Sequence, residues 1–547
     1  MDIESDIKQA IKYTSKKDYD RARLIYEGIL NNDPENVIVL SLLGRLLLTL
    51  KKRRLAKKYL IKSYQIKPLT ASAECLAILF YDEQRYFEAE QLFEQVFEKT
   101  KDFTVLSKYI SLLIKNDDFH KAFAVAEKLY KLYPLQQESI LNYVYTSTII
   151  GKPDVAYPLA EQMVRNYPKN GNGWIKLGLI YELYFHDDKK AELYYKKGLK
   201  CGAKESAYYN LAINASRQGD YKKSLNYIKK LNAKDESNDF IKAINYYKLR
   251  QFMKGYKYSI PYLMNGQKSP AIRLKRHWDG KTHKDETLLI LCDQGFGDVF
   301  MYARYLPFVQ NKFKQIKVVA RQDYLELFKR SFKHCKKIKF YLYNKETFPH
   351  YDKSTILSSL PYFLKMDIKD IPNPEGYLIP SADKIKQFAE KMTSKKLKVG
   401  VCWEAGNASF RGMIHRTINI NMLDDLLKTD NVQCYSFQVK MSMDNYRDYT
   451  DLILLGGDFK DFDDTAGALK NLDVLVTVDT SVAHLAGAMG VKTFLLIPYC
   501  SDWRWFDNNK TTEWYNSVTL FQQTSTKTWD DVIQNLCQEI QNIINNN

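Results

Sequence analysis

Residues 474–497 read Val474-Leu-Val-Thr-Val478-Asp479-Thr480-Ser481-Val-Ala-His484-Leu-Ala-Gly-Ala488-Met-Gly-Val-Lys-Thr493-Phe-Leu-Leu-Ile497. Two apolar runs, Val474–Val478 and Thr493–Ile497, flank a helix made of small residues. A short, continuously apolar run is a strand buried on both faces, and strand–helix–strand at this spacing is a parallel βα unit. The same signature recurs at Thr287–Cys292, Ile316–Ala320, Ile338–Leu342, Val399–Trp403 and Val432–Phe437. The runs form two groups, 286–380 and 397–525, separated by Ile371-Pro-Asn-Pro-Glu-Gly-Tyr-Leu-Ile-Pro380 and the helix after it. Two doubly wound lobes are therefore expected, with a ligand cleft between the carboxyl ends of their strands.

Three strand-to-helix junctions carry candidate chemistry. Asp293-Gln-Gly295-Phe-Gly297-Asp298 follows the first strand and opens a helix expected over Val299–Val309. Glycines there allow a tight turn and close approach of a ligand to the main chain. The GK[ST] ending of a P-loop is missing, as is the third glycine of a dinucleotide fingerprint. Asp298 reads either as a helix cap or as a carboxylate at the lip of a cleft, able to take a proton from a hydroxyl. The second junction is Asp479-Thr480-Ser481, whose hydroxyls and following helix N-terminus suit a diphosphate. His484 lies one turn inside that helix, as a ligand to the cleft or as a core histidine, and Asp479 and Thr480 stand equally between capping and binding. The third is Trp403-Glu-Ala-Gly-Asn407, leading to His415-Arg416-Thr-Ile. Arg416 is a phosphate clamp or a surface arginine, since a guanidinium offers paired donors.

The first half has a different period. Small residues recur at Ala22, Ala56, Ala89, Ala122, Ala156, Ala191 and Ser224, every 33–35 residues, and Pro34, Pro68, Pro134 and Pro168 each follow one of them by twelve. Trp174-Ile-Lys-Leu177-Gly178-Leu-Ile-Tyr181 adds a W-x2-L-G-x2-Y signature. A small residue lets the second helix of a hairpin approach the first, and a proline ends that second helix. The spacing resembles the tetratricopeptide repeat, about seven units over residues 3–236, stacking into an α superhelix with a concave groove. Such a groove holds a protein or peptide partner, or another copy, without naming it.

Composition bounds the rest. The chain has 547 residues, about three times the usual domain of roughly 100–200. Apolar residues at 45% and charged residues at 27% exclude a wholly disordered, collagen-like or membrane-embedded chain. Lysine and arginine number 82 against 64 acids, a net +18 compatible with phosphate ligands, anionic membranes or nucleic acid. These basic residues look dispersed along the chain and accompany no recognised nucleic-acid motif. The 40 tyrosines do not separate a stacking surface from helix packing. Eight cysteines form no CxxC pair, which fits a reducing compartment and no disulfide framework or zinc site. The acidic start MDIESDIKQ is unlike a signal peptide, and no apolar run reaches the roughly 18 residues of a membrane span. A cytoplasmic location is expected.

Taken together, WDG, LLILCDQGFGDVFMYARYLP, VGVCWEAGN, HRTINI, SFQ, VDTSVAHLAGAMGVKTFLLIP, DWRWF and EWY resemble heptosyltransferase-type glycosyltransferases, most closely members fused to a tetratricopeptide array. The plan is also similar to that of the O-GlcNAc transferases. The resemblance implies an array over 1–240, a helical connector over 241–284, and a GT-B fold of two Rossmann-like lobes, 285–395 on the acceptor side and 396–547 on the nucleotide-sugar side. It implies an inverting transfer from a nucleotide sugar to a hydroxyl of a protein, peptide or glycan, without a metal or other cofactor. Carried over by position, Asp298 is the general base. Arg416, Gln438, Asp479, Thr480, Ser481 and His484 bind the donor, and Gly295, Gly297, Trp403 and Asn407 form the cleft backbone. Asp293 stands where relatives commonly have glutamate and Arg416 where they have lysine, and the polar loop after Asn407 is reduced. The aromatic stretch Tyr499–Tyr515 either packs the seam between lobes or stacks on a ligand. Two other readings are a protein-binding scaffold with a vestigial transferase domain and, third, a nucleic-acid binder.

Overall fold

The computed structural model describes residues 3–231, 236–265, 274–292, 294–344, 347–405, 416–439, 449, 451–507, 509–524 and 528–546. The chain divides into two compact units, Met1–Asn210 and Leu211–Asn547.

The first unit is a tetratricopeptide-like tandem of helical hairpins: Ile3–Ser15 with Tyr19–Asn32, Val37–Thr49 with Arg53–Ile66, Thr70–Asp82 with Tyr86–Phe97, Phe103–Lys115 with Phe119–Leu132, Gln137–Ile149 with Pro153–Asn166, and Gly171–Leu183 with Asp188–Lys200. Ala22, Ala56, Ala89, Ala122, Ala156 and Ala191 each sit on the second helix of a hairpin, and each is completely buried. Pro34, Pro68, Pro134 and Pro168 stand two residues beyond the ends of their helices. The first helices are shaved in the same way. A Cβ on Gly178 would come within 2.6 Å of the Tyr195 ring, and one on Gly44 within 2.6 Å of Leu60, so both glycines are required by close approach.

One regularity was not foreseen. Every hairpin turn holds a left-handed residue five positions before the buried small one: Lys17, Lys51, Gln84, Asp117, Gly151 and His186. Only one of the six is glycine, so the turn is imposed by packing against the cost of a Cβ in that region.

The second unit continues this period before it changes. Tyr221–Ile228 carries the buried Ser224 after a left-handed Gly219, and Glu236–Lys248 with Phe252–Asn265 turns at a left-handed Arg250. Gly255, again five positions on, lies so close to Tyr247 that a Cβ would collide with the ring. The hairpin signature thus runs on to Asn265, hidden from the sequence by a shortened spacing. This last hairpin docks on the aromatic stretch near the C-terminus. Tyr247 stacks on Trp503 at 4.3 Å, and Phe252 meets Trp503 and Trp514. Lys248 pairs with Asp507 at 2.7 Å, and Arg250 pairs with Glu513. Trp503, Trp505 and Trp514 are all buried, so these three rings pack, whereas Tyr499 at the start of the stretch is exposed.

Two parallel sheets follow. The first contains β1 (His283–Leu291), β2 (Phe313–Ala320), β3 (Ile338–Leu342) and β4 (Lys353–Ile356), in the order β3-β2-β1-β4. The second contains β5 (Leu397–Cys402), β6 (Val432–Ser436), β7 (Ile453–Leu454), β8 (Val474–Val478), β9 (Thr493–Ile497), β10 (Thr511–Thr512) and β11 (Tyr515–Gln522). Its order is β10-β11-β9-β8-β5-β6-β7, all parallel except β10 against β11. Without the β10 edge this is the doubly wound 3-2-1-4-5-6 arrangement, whose direction reverses between β5 and β8. Every residue of β8 and β9 is buried, as their apolar runs require. The helix expected over Val299–Val309 starts earlier, at Phe296, and breaks after Ala303; a short helix Leu306–Val309 with Pro307 in its first turn follows.

The two classes of helix glycine predict opposite substitutions. Gly28 has no atom within 4 Å of a would-be Cβ, so Gly28→Ala should stabilise by about 0.5–1 kcal/mol. Gly255→Ala should destabilise by about 1–3 kcal/mol, because the Tyr247 ring must move. Urea midpoints of the two variants, shifted in opposite directions, are the measurement.

Candidate active site

The reversal point of the second sheet gathers most of the residues singled out above. Hydrogen bonds from Ile418 N–H to the Trp403 carbonyl (3.0 Å) and from Ala405 N–H to the Thr417 hydroxyl Oγ1 (3.2 Å) hold residues 416–418 over the end of β5. Arg416 thereby reaches β8. Its Nη1 donates to the Asp479 carboxylate at 3.2 Å and to the Asp479 carbonyl at 3.3 Å. Its Nε is buried with no partner among the described residues. Burial raises the Asp479 carboxyl above its ordinary range, and the Arg416 cation opposes that shift.

Thr480 caps the helix Ser481–Ala488, its Oγ1 accepting from Ala483 N–H at 3.4 Å, and it also meets Thr477 Oγ1 at 3.2 Å. Ser481 begins that helix at a half-buried position. His484 is fully enclosed. Its Nδ1 lies 3.0 Å from Tyr515 Oη, its ring stacks on Trp505 at 4.9 Å, and its Nε2 is 3.9 Å from Asp479. Burial, with the nearby Arg504 cation, depresses its pKa to about 3, so the ring is neutral.

From the first lobe, the helix Phe296–Ala303 packs directly on Ser481–Ala488. Gly297 makes this possible, since a Cβ there would stand 2.6 Å from His484 Cδ2. Its smallness serves helix contact. Gly295 precedes that helix, and a Cβ there would meet nothing nearer than Asp298 Oδ2 at 3.7 Å. Asp298, in the first turn, is bound by Arg504, whose other terminal nitrogen holds Asp502 at 2.6 Å. Arg504 is therefore the cation shared by the two lobes, with a side chain only 15% exposed.

Two positions serve the frame. Gln438 is buried and spends both ends of its amide on Glu404: Oε1 accepts from its N–H at 3.1 Å, and Nε2 donates to its carbonyl at 3.3 Å. It locks the ends of β5 and β6 together. The Trp403 side chain lies in the core of the second lobe, so only its backbone belongs to the junction. Asn407 lies outside the described residues, as do Asp293 and His415.

No family model and no curated protein matches this chain. Solved structures similar to part of it include tetratricopeptide repeat proteins. One is from Parabacteroides merdae, 13% identical, covering 44% of this chain and 98% of its own, with a TM-score of 0.32. Another is YrrB, described as having an unusual peptide-binding site, 14% identical, covering 37% and 97%, with a TM-score of 0.31. The repeat architecture of this chain rests on its own hairpin geometry.

Arg504 and Asp502 were missed as site residues, although the run Asp502-Trp-Arg-Trp-Phe506 stands out in the sequence. Nothing local marks them, because the partner carboxylate is 206 positions away.

The buried neutral histidine fixes a pH response. Its unfolded pKa near 6.5 exceeds its folded value, so the unfolded chain binds the proton first and stability falls as pH drops below 6.5. At pH 5 the loss from this one group is roughly 2 kcal/mol. His484→Gln should be less stable at neutral pH but flatter between pH 6.5 and 5, read from denaturation midpoints at each pH.

Proposed function

We propose that the second unit is an inverting glycosyltransferase of the GT-B type, drawing on a nucleotide-sugar donor, and that the helical array holds its acceptor or a protein partner. The observation that carries this reading is the convergence of Arg416, Asp479 and the capped N-terminus of Ser481–Ala488 where the second sheet reverses, with Asp298 tied to the same place through Arg504. A doubly wound sheet takes its ligand at that point. A helix N-terminus with an arginine beside it suits a diphosphate.

In this mechanism the acceptor hydroxyl gives its proton to Asp298 while its oxygen bonds to the anomeric carbon. The bond from that carbon to the diphosphate breaks on the opposite face. The electron pair leaves with the diphosphate, towards Arg416 and the helix N-terminus. Arg504 engages one oxygen of Asp298, leaving the other for the proton.

One feature supports the scaffold reading instead: Asp298, Arg416 and Gln438 are all held by protein groups in this structure. A thermal-shift screen against nucleotide sugars and nucleoside diphosphates separates the two. A true donor at about 100 times its dissociation constant adds about 2.7 kcal/mol of stability, and no shift across a broad panel favours the scaffold.

With a donor in hand, Asp298→Asn should lower turnover by about 100-fold or more and leave donor affinity nearly unchanged. Arg416→Ala should weaken the donor complex, with Arg416→Lys as the charge-preserving control. Full turnover by Asp298→Asn would remove Asp298 as the base.

A further inference from the structure

Part of the positive charge gathers along one stretch of the first lobe. Residues 310–339 contain ten basic side chains and two acidic ones, so 30 positions carry +8 of the chain's +18. The structure shows which of these charges are spent. Arg321 pairs with Asp323, Lys329 with Glu326 and Arg330 with Asp463, which accounts for both acids of the segment and one from outside it. Lys317 donates to the His350 carbonyl at 2.9 Å, and Lys337 to the carbonyls of Gln310 and Phe313.

Lys312, Lys314, Lys333, Lys336 and Lys339 make no ion pair among the described residues, and all but the half-buried Lys312 are exposed. Register groups them. β2 and β3 are parallel neighbours with Ile316 opposite Ile338 and Lys317 opposite Lys339, and β3 is the edge of the first sheet. Lys312 and Lys314 lie at the start of β2, and Lys333 and Lys336 just before β3. The lysines therefore gather around the amino ends of these two strands, away from the carboxyl ends where the candidate site lies. The acids nearest in register, Asp285 and Glu286, are on β1, the other neighbour of β2, and Glu286 pairs with His283.

We propose that this edge of the first lobe is a docking surface for an anionic lipid bilayer. Three observations favour a bilayer over nucleic acid. The unspent cations are all lysines, strongly hydrated point charges, whereas both arginines, whose forks could read phosphate or guanine bidentately, are occupied. The aromatic rings of the segment, Phe313, Tyr324, Phe328 and Phe332, are buried and offer no platform for stacked bases. Phe308 is 39% exposed on the short helix that leads straight into Lys312, an apolar group at the rim of the charged patch. No described helix is long and apolar enough to cross a membrane, so the contact is peripheral. A lysine close to an anionic leaflet strengthens partitioning about fivefold, and several together give reversible, salt-sensitive attachment.

The test is co-sedimentation of the full chain with phosphatidylcholine vesicles containing or lacking phosphatidylserine. It is run on wild type, on Lys333→Glu/Lys336→Glu/Lys339→Glu, and on Lys8→Glu/Lys12→Glu/Lys16→Glu, which makes the same change of net charge in and just after the first helix. The expected result is binding to the phosphatidylserine vesicles by wild type and the first-helix variant, reduced about 100-fold or more in the β3-edge variant. The thermal transition of each variant reports that it is folded. Absence of wild-type binding at low salt, equal loss in both variants, or retention on mixed-sequence RNA without binding to vesicles would each overturn the proposal. None of these readouts depends on sugar transfer.

Discussion

The second unit depends on one close contact, the helix Phe296–Ala303 lying against the helix Ser481–Ala488 at Gly297 and His484. A methyl group at position 297 would overlap the imidazole, so the distance between the helices is set by a missing side chain. Everything that makes the site plausible follows from that approach. It brings Asp298 within reach of Arg504, excludes water from His484 and joins the cores of the two lobes. The same seam encloses Arg304, completely buried and without an ion-pair partner among the described residues. It is held by the carbonyls of Met301 and Pro372, by Tyr377 Oη and by the faces of Tyr377 and Tyr515. Carbonyl dipoles and ring quadrupoles replace an anion there, a fixed set of partners that only one packing of the lobes supplies.

The contrast between the two buried arginines is instructive. Among the described residues Arg304 is held by neutral acceptors. Arg504 binds two carboxylates from different segments and influences His484 and Asp479 as well. Removing either carboxylate would leave the other more strongly held, so Asp298 and Asp502 compete for one cation. A charge arrangement of that kind is poised to respond when a third anion enters the site.

Much of this was legible in the sequence because burial leaves a periodic mark. Ala22 to Ala191 are buried at the spacing that betrays them, and β8 and β9 are enclosed on both faces, so their apolar runs end where the strands end. β4 escaped notice because Lys353-Ser-Thr-Ile356 is four residues long and mostly polar, and it becomes a strand only by pairing with β1. The turn residues Lys17, Lys51 and Gln84 carry no glycine to announce their left-handed backbone. In the site, sequence placed Asp298, Asp479 and His484 at strand-to-helix junctions, which is a local property. It could not show that Gln438 is saturated by Glu404, or that Arg504 binds Asp298, because both depend on register between distant segments.

The docking of the last hairpin on the C-terminal aromatics has a kinetic consequence. Tyr247 and Phe252 are buried by Trp503 and Trp514, which the ribosome makes about 250 residues later. At roughly 5–20 residues per second, that interval is on the order of 10–50 s. The hairpins of the array close through neighbours in sequence and can form as they emerge. The hairpin Glu236–Lys248 with Phe252–Asn265 forms too, but it presents an unpaired aromatic face throughout the synthesis of both sheets. During that interval the nascent chain is exposed to aggregation, and the surface that later joins the helices to the second lobe is the one a chaperone would cover first.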